Sequence, residues 1–115
     1  MAISVKELNL EQGMPAADVA LRWLEAELNT ARKMRRPALK IIHGYGSSGK
    51  GGKIRTACRK YLREQAAAGR VRLVIAGEEF SIFSEETQRS FALCGELRQD
   101  GDVDRENRGV TFVLL

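Results

Sequence analysis

Aromatic residues are scarce in this sequence: one Trp, two Tyr and four Phe among 115 residues. Base recognition leans on stacking platforms, so a chain this poor in them favours backbone contact over base reading in any nucleic-acid role. Cysteine is scarcer still. Cys58 and Cys94 stand far apart with no CxxC pair, which points away from a zinc site or a disulfide framework. They read as two small buried apolar residues in a reducing cytosol. Apolar runs are only a few residues long, too short for a membrane span. The opening MAISVKELNL lacks the basic start and apolar block of a signal peptide, so a cytoplasmic protein is expected. There is a single histidine, His43.

Acidic residues are almost missing from the middle of the chain. Residues 32–72 hold 13 Lys and Arg against one acid, Glu64. Residues 1–31 have net charge −3 and residues 73–115 have −5, leaving +4 overall. A solvated helix face usually mixes signs. A basic middle between acidic ends points to a face for a polyanion. Length fits one domain, residues 1–115, with one core. The hydrophobic share of 43% and charged share of 30% suit a folded globular chain.

The stretch from Leu39 to Arg55 is the most informative. It reads as a buried strand, a glycine loop and a helix start. Gly44, Gly46, Gly49, Gly51 and Gly52 lie between His43 and Lys53. Glycine lets backbone turn tightly and approach a ligand. Loop amides and a helix N-terminus beside Lys50 and Lys53 would suit a phosphate. Gly44 and Gly49-Lys50 fit the first seven positions of a P-loop, but Gly51 stands where a Ser or Thr must bind Mg²⁺.

Periodicity gives the rest. Ser4–Leu10 alternates as a first strand. A helix from Ala16 to about Arg35 carries a stripe of Ala17, Ala20, Leu21, Leu24, Leu28 and Ala31, with Trp23 at its border as a core anchor. Pro37 ends that helix, and a second strand follows at Leu39–His43. A second helix from about Lys53 to Ala68 turns Ile54, Ala57, Cys58, Tyr61 and Leu62 inward. Arg55, Arg59, Lys60 and Arg63 fall on or beside its outward face. A third strand is expected at Val71–Ala76. A short helix capped by Ser84 runs to about Leu97. Gln99–Arg108 reads as a solvated acidic hairpin tip, away from the basic face. Its Asp100, Asp102 and Asp104 open like a calcium loop but lack the required Gly and Glu. The last strand is Val110–Leu115.

The strand ending in His43-Gly44-Tyr45-Gly46, followed by Ile54-Arg55 at a helix start, resembles the strongest motif of the Smr (small MutS-related) domain. That motif is an apolar strand, His-Gly-x-Gly, then Leu-Arg. Gly109-Val110-Thr111 near the end is also Smr-like. The resemblance implies an α/β (α+β) sandwich of βαβαββ order, similar to the C-terminal domain of bacterial translation initiation factor three. It implies a four-stranded mixed sheet with two main helices and a short inserted helix. Residues 77–109 would be an insertion longer than Smr domains usually carry.

Many Smr domains begin with Leu-Asp-x-His, then Gly and Met, and those with the intact pair are associated with nicking DNA or cleaving RNA. Here the chain runs Leu8-Asn9-Leu10-Glu11-Gln12-Gly13-Met14, placing Asn9 at the aspartate and Glu11 at the histidine, or Gln12 if the extra residue is placed differently. The expectation is therefore a binder of DNA or RNA, without a membrane. Gly44, Gly46, Gly49, Lys50, Lys53, Arg55, Arg59 and Arg63 would grip phosphates, with no cofactor. One alternative is an endonuclease with His43 and Glu11 as proton-transfer residues, with or without a divalent metal. Another is a nucleotide-binding or protein-interaction module using the near P-loop.

Overall fold

Alternating side chains decide how the sheet is covered. The computed structural model describes residues 5–13, 15–45 and 51–115. Among these, β1 (Val5–Asn9), β2 (Ala38–Ile42), β3 (Leu73–Ala76) and β4 (Val110–Leu114) form one sheet in the order β1-β2-β4-β3. β1 and β2 are parallel, and β4 runs antiparallel to both its neighbours. The mixed four-stranded sheet expected from the sequence is the one observed. β4, the last strand in sequence, lies inside the sheet and is buried along its whole length.

On one face, Leu39 and Ile41 of β2 and Val113 of β4 meet α1 (Ala17–Lys33) and α2 (Gly51–Ala67). α1 offers Ala20, Leu24, Leu28 and Ala31, the i, i+4 stripe of an amphipathic helix. α2 offers Ile54, Cys58 and Leu62. Burial pushes the Cys58 thiol up to about 11, so it behaves as a small apolar residue. Trp23 does not anchor this core: it is 44% exposed, one position off the stripe that faces the sheet. α1 ends at Lys33, before Pro37, because Arg35 turns left-handed (φ 56°) and Arg36 N–H donates back to Ala31 O at 3.0 Å.

The opposite face is covered by residues 77–109. Phe80 stacks on Phe112 of β4 with ring centroids 3.9 Å apart, and Phe91 meets Phe80 edge-on at 5.8 Å. α3 (Glu85–Leu93) starts on Ser84, whose hydroxyl accepts from Thr87 N–H. α3 stops at Leu93 rather than Leu97, and a separate 3-10 turn spans Gly95–Gln99. Cys94 between them is extended (φ −148°), which breaks the α-helical run.

The reading of residues 99–108 as a solvated tip needs correcting. Lys40 points out of β2 on this second face, and its Nζ sits 3.0 Å from Asp100 and 2.7 Å from Asp102. All three side chains are largely buried. The loop folds back because a lysine in a central strand must find carboxylates once it leaves water. Burial alone would lower the Lys40 pKa, but Asp102 and Asp100 outweigh it and hold it raised.

Candidate nucleic-acid interface

His43 lies one residue past the end of β2, on the side facing the helices. Its side chain is fully buried. Nδ1 lies 2.6 Å from Gly44 O, and Nε2 lies 2.8 Å from Thr111 Oγ1. A carbonyl oxygen only accepts, so the ring proton sits on Nδ1 and Nε2 accepts from the Thr111 hydroxyl. Thr111 Oγ1 in turn accepts from Arg59 Nε at 3.1 Å. In the neutral imidazole the Thr111 hydroxyl spends its one proton on Nε2 while its oxygen accepts from Arg59. Burial, with Arg59 and Arg55 nearby, outweighs the Gly44 carbonyl and lowers the His43 pKa to about 4.

Arg59 continues the network. Its two terminal nitrogens reach Glu78 at 2.8 and 2.7 Å, and one also donates to Val110 O at 3.1 Å. Arg55, one helical turn earlier, reaches the same carboxylate at 2.8 Å and Arg108 O at 3.1 Å. Glu78 thus holds two guanidinium groups. The Arg59 hydrogen bonds lead in pulling its pKa down to about 2, against the effect of burial. This corrects the placement of both arginines on the outward face of α2. Arg59 is buried and Arg55 half-buried, because Thr111, Glu78 and the Val110 carbonyl of β4 offer acceptors on the sheet side.

Gly44 is also different from expectation. Its amide does not point at an open anion site: Gly44 N–H and His43 N–H both donate to Gly109 O, at 3.1 and 2.9 Å. Its glycine character has another cause. Its φ is +72°, and a Cβ there would collide with the Glu11 carboxylate. Glu11 is therefore brought against the His43-Gly44 turn. An Asx turn supports that placement, Glu11 N–H donating to Asn9 Oδ1 at 2.9 Å.

Of the other expected residues, Lys53 and Arg63 are exposed on α2, as is Lys60. By helical spacing Lys53 and Lys60 share one stripe, with Arg63 beside it. Gly46, Gly49 and Lys50 lie outside the described residues. Tyr45, 57% exposed, borders an open cleft of about 550 Å³ with Asp102, Arg105, Glu106 and Arg108. The acidic loop thus flanks the His-Gly turn rather than lying away from it. Glu78 and Thr111 were not singled out from the sequence. Glu78 directly follows a strand and glycine, a place where functional side chains often sit; Thr111 carries no local signal. Among the described residues no group of three or more His, Cys, Asp or Glu converges as a metal site. No described helix is long and apolar enough to cross a membrane.

Comparison with known proteins adds the following. The sequence profile described as Smr domain matches residues 12–79, more than half of the chain. Among solved structures, the Smr domain of Thermus thermophilus MutS2 superposes with a TM-score of 0.56 at 20% identity, over 98% of each chain. At that identity the likeness carries the fold alone. No curated protein matches the chain.

Proposed function

The chain belongs to the Smr domain family, and on that premise we propose that it is a nucleic-acid-binding domain that holds phosphates without cutting the chain. The observation that carries the proposal is the exposed side of α2. Lys53, Lys60 and Arg63 reach solvent there, and the helix has no acid in its first turn. Mobile cations of this kind exchange counterions for phosphates and read little sequence. Gly46, Gly49 and Lys50, outside the described residues, are proposed as phosphate-binding on their sequence motif alone. Glu78, Arg55 and Arg59 form the rigid base of the α2 surface rather than its contact. One carboxylate bonds both guanidinium groups, and breaking such a half-buried cluster to free an arginine is costly.

The absence of cutting follows from His43. A general acid must carry a proton near neutral pH, and a base must reach the proton it takes. This imidazole is neutral, fully buried and engaged at both nitrogens. Its role is to join β2 to β4 and α2. Asn9, an amide, cannot exchange a proton in its place. Binding is tested by fluorescence anisotropy with a labelled DNA duplex and a structured RNA. Lys53→Gln with Lys60→Gln and Arg63→Gln should weaken binding of the preferred ligand while leaving the thermal midpoint unchanged. Unchanged affinity would remove α2 as the contact.

A further inference from the structure

The basic block of residues 32–72 is continuous in sequence, but the fold divides it between the two ends of the sheet. Arg36 precedes the start of β2, Arg72 precedes the start of β3, and Leu115 follows the end of β4. All three lie at the edge opposite His43, Glu78 and Gly109. Each five-residue strand spans roughly 17 Å, so the two ends are well separated. At this far end Arg32, Arg35, Arg36 and Arg72 line a cleft of about 370 Å³ with Pro37, Leu93 and Leu115. A neighbouring hollow shares Arg72 and Leu93 and adds Arg89. No described side-chain carboxylate lines either one.

The charge there is not answered by the fold. α1 ends at this point, and its carbonyl end supplies about half a negative charge. That suits one cation, not five. Arg32 is fixed in place, donating to Arg70 O at 3.1 Å and to Asn29 Oδ1 at 3.3 Å. Arg36 Nε is buried without a hydrogen-bond partner in the protein. The contrast with the His43 end is sharp: there Glu78 bonds both arginines, and here no carboxylate side chain lines the cleft. Guanidinium groups around an aliphatic-walled concavity match the planar, two-toothed geometry of phosphodiester oxygens.

We propose that this arginine-lined cleft is a second phosphodiester site, holding the backbone of a nucleic-acid segment other than the one on α2. The inference rests on the reading of the domain as a nucleic-acid binder. α2 packs on one face of the sheet and runs back from the His43 end toward Arg70. The cleft opens past the strand starts beside Arg89 and Leu93 of α3, which covers the opposite face. The two sites therefore face apart, and one molecule joins two segments.

The test compares two triple variants of the whole chain. One changes the cleft (Arg35→Gln, Arg72→Gln, Arg89→Gln, all exposed residues), the other α2 (Lys53→Gln, Lys60→Gln, Arg63→Gln). Thermal midpoints confirm folding. Anisotropy over a salt series gives the number of phosphates engaged. Energy transfer between two duplexes carrying donor and acceptor dyes reports joining. The cleft variant should reduce the magnitude of the log K against log salt slope by about 2 to 3 and abolish joining. The α2 variant should also abolish joining while still binding through the cleft. If the cleft variant keeps the wild-type slope and joining, the second site is wrong and the proposed α2 contact stands. If the cleft variant alone loses all binding, the cleft stands and the α2 contact falls. Wild-type protein that binds no duplex or structured RNA at low salt overturns both.

Discussion

His43 and Arg59 are where physical chemistry at single residues is most exposed to test. A group with a depressed folded pKa stabilises the fold above its unfolded pKa and loses that contribution as pH falls. For His43 the window runs from its unfolded 6.5 down to about 4, and linkage gives about 2 kcal/mol lost at pH 5. Urea titrations at pH 7 and pH 5 should show that loss, and His43→Gln should flatten it. Glu78 acts next, between 4.5 and about 2, so acid weakens the same cluster twice. Arg59 and Arg63 sit four residues apart on α2 yet should respond in opposite ways. Arg59→Gln removes two of the three guanidinium hydrogen bonds to Glu78, leaving Arg55 as its partner, and should cost about 2–3 kcal/mol; Arg63→Gln should stay within about 0.5 kcal/mol. Equal costs would mean that the burial difference is wrong. The sequence shows both as arginines at helical spacing. What separates them is Thr111, Glu78 and the Val110 carbonyl of β4, all distant along the chain, so no local pattern could have placed Arg59 inside. Gly44 was recognised as special for the wrong reason. Gly44→Ala should cost about 1–2 kcal/mol for its left-handed backbone, plus a collision that Glu11→Ala removes. A double-mutant cycle reads that second part directly.

At the scale of elements, α1, α2, α3 and all four strands are legible in the sequence to within a few residues, because each helix carries an apolar stripe and each strand a short apolar run or alternation. It failed where a contact spans layers. Residues 99–108 are polar and acidic, and composition alone assigns them to solvent. Their partner, Lys40, lies 60 residues earlier in a strand that otherwise reads as apolar. Lys40→Met should therefore destabilise rather than stabilise, by about 3 kcal/mol, since it leaves two carboxylates without their cation. Adding Asp100→Asn and Asp102→Asn should recover most of that loss in urea melts. If Lys40→Met alone raises stability, the ion cluster is a surface feature and the loop is not pinned by it. Trp23 carries a similar lesson: an aromatic at the border of an apolar stripe is read as core, but the stripe is already filled by Leu24 and Leu28.

For the molecule as a whole, the fold sorts a single basic block into a contact surface, a cluster bonded to Glu78 and a second cleft. Sequence charge counts could show the block but not the sorting, because Glu78 reaches Arg55 and Arg59 only through the crossover from α2 to β3. Binding to duplex DNA should weaken steeply with salt. With about four to six phosphates engaged, the slope of log K against log salt should be near −0.9 per phosphate. The central claim is that the domain grips nucleic acid and leaves it intact. The most direct measurement incubates saturating protein with end-labelled duplex DNA, branched DNA and structured RNA, in Mg²⁺ and in Mn²⁺, and resolves binding and strand length from the same samples. Our account predicts a shifted, full-length substrate, with no difference in strand length between the wild type and His43→Ala. Strands cut by the wild type and spared by His43→Ala would contradict it, and would mean that the buried imidazole opens to take part in the chemistry.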